Sequence, residues 1–237
     1  MKAFRRLFRA ALFFAVFVFI VFQLWQFFII LPVWSIKEIE VEGLKHLSEK
    51  RVEKIAGVKI GTSLLEARSK NIKENLGSIR QIKSVRIKRA LPAKMILVIT
   101  ERKPWVRVDH AGKQWLIDDE GIILSSQFYN YDEIYLLPIV RGLKTIGQFP
   151  DFAKANNDFI DELSHLVRRD QIVIFVDGSE TIVRIADYIP VYFGRPENLK
   201  EKIDAFAKIL PFVKKNWQRV EYVHLKYLSN LVVKVKG

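Results

Sequence analysis

The sequence contains no cysteine, and no charged residue occurs between Arg9 and Lys37. The absence of cysteine excludes a disulfide framework, so the folded part of the chain must rely on hydrophobic cores. The absence of charge leaves Ala10 to Leu31 almost entirely apolar, with Gln23 and Gln26 as the only polar residues. As a helix, this segment would reach about 33 Å, close to the roughly 30 Å hydrocarbon core of a bilayer. It therefore predicts a transmembrane helix over residues 10–31.

The flanking charges predict the orientation of this segment. Four basic residues and no acidic residue precede it, and the flank that follows is uncharged through Ile36. The positive-inside rule then makes residues 1–9 a short cytoplasmic tail. A cleaved signal peptide is the alternative, but its apolar region would be only about 7–15 residues long and would end at small residues. We therefore predict a single-pass type II protein of the inner (cytoplasmic) membrane, with most of the chain on the outer side.

Positive charge is concentrated next to the apolar segment. The net charge of +13 divides into +4 for residues 1–35, +9 for residues 36–104 and zero for residues 105–237. The change at residue 104 predicts a domain boundary there. Arg86 and Lys88 alternate with apolar residues and are predicted to form an outward face that contacts anionic lipid or an acidic partner. A basic face that serves only solubility is the alternative.

Residues 36–104 are predicted to form a small α+β domain in the order strand, helix, helix, strand, strand. Ile39 and Val41 alternate with glutamates, which is typical of a half-buried strand. Helical spacing that stops at Gly57 predicts the first helix. Ser63 and Glu66 match a capping box, which places the start of the second helix at Ser63.

Residues 105–237 are predicted to be a β-rich domain with two flanking helices. One helix is expected over about Phe152 to Arg169, and Pro196 is expected to open the other. Two final strands join through residues 228–230. Alternation in the last strand separates two faces, with Leu231, Val233 and Val235 on one and Val232, Lys234 and Lys236 on the other.

Patterns that would indicate catalysis or cofactor binding are absent from the sequence. The four histidines lack metal-ligand spacing, and there is no phosphate-binding glycine loop, nucleophile elbow or zinc-protease motif. The acidic run at 118–120 precedes Gly121 and is interpreted as a hairpin turn rather than a calcium site. We therefore expect no enzymatic activity, no cofactor, no metal, no small-molecule substrate and no nucleic-acid partner.

Six short motifs occur along the chain. They are Arg89-Ala-Leu-Pro92, Glu101-Arg-Lys-Pro104, Leu116-Ile-Asp-Asp-Glu-Gly121, Leu137-Pro-Ile-Val-Arg-Gly142, Gly194-Arg195 and His224-Leu-Lys-Tyr-Leu-Ser-Asn230. Together with the domain order, they resemble the FtsQ family of bacterial cell-division proteins, called DivIB in Gram-positive bacteria. The last motif departs from the family pattern, because His224 and Lys226 replace Asp and Arg. Asn230 replaces a turn glycine, but asparagine tolerates left-handed backbone.

The resemblance implies a POTRA domain at 36–104, a β domain at 105–237 and a scaffold role at the division septum. It implies FtsB/FtsL-like partners (DivIC and FtsL in Gram-positive bacteria), and other divisome proteins that bind the POTRA domain. The implied partner site is the end of the β domain: Tyr227, which matches the hairpin tyrosine of the family, with Ser229, Asn230, Leu231, Val232 and Val233. Arg195 and the Arg168–Arg169 pair are candidates for pairing with an acidic partner helix.

The partner site depends on the position of the last strand. If that strand lies at a sheet edge, its backbone groups can pair with an added strand from a partner. An ordinary edge strand that is protected by its lysines is the alternative. A POTRA-bearing translocation or envelope-assembly component is the second functional hypothesis, and an anchored envelope enzyme is the third.

Overall fold

The structure is a computed structural model that describes residues 2–30, 34–178, 180–185 and 189–236. Helix α1 spans Lys2–Ile30, and the predicted end of the membrane span, Leu31, lies outside the described residues. Within these ranges, no helix combines the length and the hydropathy that crossing a membrane requires. The chain divides into two compact units between Glu101 and Arg102.

Unit 1 contains a three-stranded sheet and two helices after α1. Its elements are β1 (Glu38–Glu42), α2 (Glu49–Ala56), α3 (Ser69–Gly77), β2 (Ile82–Ala90) and β3 (Lys94–Glu101). Strand β3 is central, parallel to β1 and antiparallel to β2. Its alternate residues Met95, Leu97 and Ile99 are buried, as are Val52 of α2 and Leu76 of α3. The predicted α+β class is confirmed.

The start of α3 differs from the capping-box prediction, which was wrong. Ser63 forms an isolated strand bridge with Ser35, and its carbonyl accepts the amide of Ala67 in a single turn. The helix begins only at Ser69. The Arg89 guanidinium of β2 donates to the Ala67 carbonyl at 2.7 Å and to the Ser69 hydroxyl at 3.1 Å. These contacts from a distant strand fix the turn ahead of the helix, and no local pattern reveals them.

The Glu101 carboxylate ties the end of β3 to the loop at 45–47. It accepts the backbone amides of Lys45, His46 and Leu47, each at 3.0 Å, and lies 3.1 Å from Nδ1 of His46. Its side chain is only 6% exposed. Burial acts to raise the pKa of Glu101, but the hydrogen bonds from these amides outweigh it and hold the pKa below its ordinary value.

We expect Glu101→Ala to lower the free energy of unfolding of unit 1 by about 3 kcal/mol, because three backbone donors lose their acceptor. Since the folded pKa is depressed, this stabilisation is complete above the unfolded pKa of about 4.3 and is lost as pH falls through the folded pKa. Urea unfolding between about pH 7 and pH 3, followed by circular dichroism, measures both effects. Glu74→Gln, on an exposed carboxylate, is the control, and identical profiles for the two variants would contradict this role.

Unit 2 is built on one mixed sheet of nine strands in the order β12-β11-β10-β9-β8-β7-β4-β5-β6. The strands are β4 (Val106–His110), β5 (Lys113–Ile117), β6 (Ile123–Leu124), β7 (Ile139–Arg141), β8 (Ile172–Asp177), β9 (Glu180–Ile185), β10 (Ile189–Gly194), β11 (Val220–His224) and β12 (Val232–Val235). Its helices are α4 (Tyr131–Tyr135), α5 (Phe149–Leu166) and α6 (Leu199–Lys215).

Helices α5 and α6 cover one face of this sheet. Phe159 of α5 and Phe206 of α6 both pack edge-on against Phe193 of β10, with ring centroids 4.9 and 5.9 Å apart. Helix α6 begins at Leu199, after Asn198 in a left-handed conformation, so Pro196 does not open the helix as predicted. The first helical turn therefore comes three residues later than the proline pattern indicated.

The two edges of the sheet differ. Strand β6 has only two residues, and Leu124 packs with Leu116, Tyr129 and Leu137 on the face opposite the two long helices. Strand β12, at the other edge, pairs only with β11 among the described strands. One edge strand thus has two residues and the other has four.

Candidate partner-binding edge

Strand β12 runs antiparallel to β11, with Val233 opposite Val223 and Val232 opposite His224. Val233 packs against the main core, whereas Val232 is 39% exposed. Lys234 pairs with Glu221 of β11 at 3.2 Å. Val232 and Val233 thus lie on opposite faces, as predicted, but Leu231 and Val235, predicted to share the face of Val233, are 41% and 49% exposed. The strand lies at the sheet edge that the prediction required.

A short turn connects β11 to β12 and exposes Tyr227. The Leu225 amide donates to the Tyr192 carbonyl at 2.8 Å, which continues the pairing of β11 with β10, and the Asn230 amide donates to the Tyr227 carbonyl at 3.1 Å. The Tyr227 ring is 60% exposed and stacks on His224, which stacks on Tyr192, with centroids 6.5 and 5.7 Å apart. Three rings therefore form a row that ends at the turn.

Lys226 fixes the turn against the neighbouring strands. A Cβ atom at Gly194 would lie 2.8 Å from Cγ of Lys226, so only glycine fits there, and its φ of +71° also favours glycine. The Lys226 ammonium pairs with Glu180 of β9. This hydrogen bond raises the pKa of Lys226 and lowers the pKa of Glu180. Gly194 of the Gly194-Arg195 motif thus leaves the space that the Lys226 side chain of the turn occupies.

A buried lysine supports the same region. Lys202 of α6 is 4% exposed, and its ammonium donates to the carbonyls of Phe193 and Arg195 at 2.7 and 2.9 Å. Burial lowers the pKa of this ammonium. Sequence reasoning missed Lys202, although its place one turn before Phe206 on the core face of α6 is a signal for a buried polar contact.

The structure brings several of the predicted site residues together. Arg195, Tyr227 and Ser229 line one cavity of about 530 Å³, with Lys226 and Lys202 beside them. On the helix side of the edge, Leu231 lines a neighbouring cavity of about 480 Å³ with residues of α6 that include Ala205 and Ile209. One cavity therefore lies on either side of the hairpin. Charged side chains line both: Glu180 and Glu197 the first, and Glu201, Asp204 and Lys208 the second.

Arg169 does not join this group. It pairs with Asp161 at 3.4 Å and lies three residues before β8. The first residue of β8 lies beside the last residue of β9. The hairpin lies beside the first residue of β9, because Lys226 pairs with Glu180. The six residues of β9 separate the two ends by roughly 17 Å. Arg168 is paired with Asp170 at that same far end.

Arg86 and Lys88 lie in unit 1, on the exposed face of β2. Lys88 is 3.8 Å from Glu42 of β1. In the same sheet, Lys94 of β3 contacts Glu38 and Glu40 at 2.8 and 2.5 Å. The face that carries the two predicted basic residues therefore also carries carboxylates, which the alternation within a single strand does not reveal.

The acidic run at 118–120 forms a braced turn. Asp118 is fully buried, accepts the amides of Glu120 and Ile122 at 3.0 and 2.7 Å, and pairs with Arg102. The Arg102 guanidinium also contacts the Glu120 carboxylate at 2.6 Å. In the described part of the chain, no group of three or more His, Cys, Asp or Glu side chains could hold a metal ion.

Family models match both units of the chain. The model of the FtsQ-type POTRA domain matches residues 34–102, and the C-terminal model of the cell-division protein FtsQ/DivIB matches residues 106–226. The chain belongs to the FtsQ/DivIB family. The resemblance to FtsQ and DivIB that the motifs indicated is thereby confirmed. The C-terminal FtsQ/DivIB model stops at residue 226, so the turn at Tyr227 and strand β12 follow the matched region.

Relatives in the FtsQ/DivIB family match most of the chain. The cell-division protein DivIB of Clostridium tetani is 24% identical over 86% of this chain and 81% of its own length. The cell-division protein FtsQ of Geotalea daltonii is 26% identical over 85% of this chain and 76% of its own length. The cell-division protein FtsQ of Corynebacterium glutamicum is 24% identical over 78% of this chain and 83% of its own length.

Proposed function

We propose that this chain is a non-enzymatic scaffold of the bacterial division machinery that binds an FtsB/FtsL-like partner through strand β12. The position of β12 at the open edge of the sheet is the observation that carries this proposal. An added strand would obtain backbone hydrogen bonds from β12, and alternate side chains would give it specificity. Family membership supports a role in cell division.

The surroundings of β12 support the same proposal. On one side of the edge, an incoming strand meets Val232 and the row of rings that ends at Tyr227. On the other side, it meets the cavity lined by Leu231 and Ile209. Arg195 supplies a cation near the turn for an acidic partner residue. We assign no such role to Arg169, which lies at the far end of β9.

We further propose that residues 10–31 anchor the chain in the cytoplasmic membrane, with the two units on the outer side. The charge-free, apolar sequence of that segment and the four basic residues before it support this proposal. Resistance of the full-length chain to extraction by alkaline carbonate tests the anchor. Recovery in the carbonate supernatant would contradict it.

Co-purification from membranes tests the partner. The full-length chain should retain coiled-coil proteins of the FtsB or FtsL type, and deletion of residues 231–237 should abolish their retention. The chain with Tyr131→Ala, an exposed tyrosine far from β12, is a folded control. Equal retention by the deleted chain would show that the partner binds elsewhere.

The face of β2 gives a separate prediction. If Arg86 and Lys88 contact anionic lipid, residues 35–237 should bind phosphatidylglycerol vesicles more weakly as salt rises, because salt screens exposed charges over about 10 Å at 0.1 M. Arg86→Glu with Lys88→Glu should reduce the cosedimenting fraction without changing circular dichroism. Equal binding to neutral phosphatidylcholine vesicles would rule out this lipid contact.

A further inference from the structure

The exposed apolar side chains of unit 1 lie at one end of its sheet. Over residues 35–101, the large apolar side chains that the structure leaves exposed are Ile60, Leu91 and Leu65, at 70%, 63% and 44%. Single exposed apolar residues are common on protein surfaces, whereas a group of them marks contact with a membrane or another molecule. The place where the three residues meet therefore indicates what they contact.

The loop that carries Ile60 and Leu65 lies beside the entry segment, residues 34–37, through which the chain enters the folded part of unit 1. The backbone amides next to these two residues, at positions 61 and 64, donate to the carbonyls of Ile36 and Trp34 at 2.8 and 2.7 Å. Both apolar side chains thus adjoin a residue that is hydrogen-bonded to the entry segment.

The turn between β2 and β3 carries Leu91 and reaches the same segment. The Lys37 amide donates to the Ala93 carbonyl of this turn at 2.8 Å. Directly after the entry segment, Glu38 of β1 lies beside Lys94, the first residue of β3. The three exposed apolar side chains therefore lie around the entry segment, at the end of the sheet where β1 and β3 begin.

The entry segment follows closely on the proposed membrane anchor. Only Pro32 and Val33 separate Trp34 from Leu31, the end of the predicted span. Even a fully extended chain covers at most about 11 Å over this interval. The headgroup layer beyond the hydrocarbon core is about 5–8 Å thick on each side. The short connection therefore holds this end of unit 1 at the membrane surface.

Basic side chains accompany the apolar ones. Lys37, Lys59 and Arg68 are exposed at the same end, and Glu66 is an exposed acidic residue beside them. The Glu38 carboxylate contacts a lysine of β3 at 2.8 Å, so its charge is balanced within the sheet. Positive charge beside exposed apolar side chains matches the surface of a bilayer that contains anionic lipid.

We propose that this end of unit 1 is a membrane-contact surface, in which Ile60, Leu65 and Leu91 enter the lipid interface and the basic residues beside them contact anionic headgroups. This proposal rests on the anchor proposed for residues 10–31. It is distinct from the predicted contact of Arg86 and Lys88, which lie on the face of β2. A contact at the end of the sheet would restrict the angle between unit 1 and the bilayer.

Fluorescence quenching in nanodiscs tests the membrane-contact surface. Because the chain contains no cysteine, each single-cysteine variant of the full-length chain carries one NBD fluorophore. The nanodiscs contain phosphatidylcholine and phosphatidylglycerol in equal parts, with a nitroxide either near the headgroup end or near the methyl end of some acyl chains. Labels at Ile60→Cys and Leu91→Cys should be quenched mainly by the shallow nitroxide. A label at Ile20→Cys, in α1, should be quenched mainly by the deep one and reports on the anchor.

Lys45→Cys is the control position in the same unit. Lys45 is exposed in the loop held by Glu101, at the far end of the roughly 23 Å that β3 spans, and its label should escape quenching. Quenching at Ile20 without quenching at Ile60 and Leu91 would overturn the membrane-contact surface and leave the anchor intact. Equal quenching at Lys45 and Leu91 would also overturn it. No quenching at Ile20 would contradict the anchor, and this surface with it.

A double substitution tests the apolar side chains themselves, with the label at Leu65→Cys. Ile60→Asn with Leu91→Asn should shift the contact equilibrium away from the bilayer by at least about tenfold, because both apolar side chains lose their transfer into lipid. Shallow quenching should then fall to the level of the Lys45 label. Ile60→Leu with Leu91→Ile keeps the apolar surface and should be quenched like the parent, and circular dichroism checks folding. Equal quenching of the two double variants would overturn the role of these side chains.

Discussion

Val232→Pro is expected to weaken binding of an FtsB-like peptide by at least about 1–2 kcal/mol, roughly 5- to 30-fold. The Lys236 amide donates to the Arg219 carbonyl, so by alternation the Val232 amide also faces β11. Proline at Val232 would therefore distort the edge strand from its inner side, and its ring disfavours continued pairing along the edge. Tyr227→Ala should have a similar effect for a different reason. It leaves the strand backbone intact but removes a ring that is 60% exposed beside the edge.

Calorimetric titration of the peptide into each purified variant measures these losses, and thermal unfolding shows whether each variant is folded. Tyr131→Ala is the matched control, because Tyr131 is also exposed, at 67%, but lies on α4 near the opposite edge of the sheet. Its affinity should equal that of wild type. If the Val232 and Tyr227 variants stay folded and bind normally, strand addition at β12 is excluded.

Asp118→Ala is expected to lower the free energy of unfolding of unit 2 by about 3–5 kcal/mol, the cost of breaking a buried ion pair on one side. The Asp118 side chain is fully buried and the Arg102 side chain is 14% exposed. In the variant, the Arg102 guanidinium would lose its ion pair with this buried carboxylate. Burial acts to lower the pKa of Arg102, but hydrogen bonds to Glu120 and Asp118 hold it above its ordinary value. Because a guanidinium is not deprotonated in proteins, Arg102 would stay charged in the variant after losing the Asp118 carboxylate.

Glu120→Ala removes the exposed carboxylate that contacts Arg102 and leaves the buried Asp118 contact in place, so the two contributions to the free energy of unfolding can be compared. Its carboxylate contacts the same guanidinium but is 51% exposed, so we expect a loss below about 1 kcal/mol. Urea unfolding of both variants gives the comparison. A similar small loss in both would show that Asp118 does not brace the turn.

Local patterns predicted the elements that depend on alternation and helical spacing. They placed the strand around Ile39 and Val41, the end of α2 at Gly57, and a last strand with Val233 and Val232 on opposite faces. These predictions succeed because burial on one side of a strand or helix leaves a periodic trace in the sequence. The five-residue helix α4 left no such trace, since it is too short for a helical period to repeat.

Features that depend on distant contacts were not predictable in this way. The delayed start of α3 follows from Arg89, which contacts Ala67 and Ser69 from another strand. The separation of Arg169 from Arg195 follows from strand order, because the two residues flank opposite ends of β9. Lys202 can be buried because two carbonyls at the end of β10 accept hydrogen bonds from its ammonium group. Sequence spacing records none of these pairings.

The unequal edges of the nine-stranded sheet set a limit on assembly. A sheet edge can extend by one strand at a time, and β6 has only two residues, against the four of β12. In this sheet, β12 is therefore the longer edge strand with a vacancy for strand addition. A second copy that paired through its own β12 would occupy that vacancy, so such a homodimer and the complex with a partner strand would be mutually exclusive. Competition between copies and partner for one edge would then make recruitment depend on the local ratio of the two proteins.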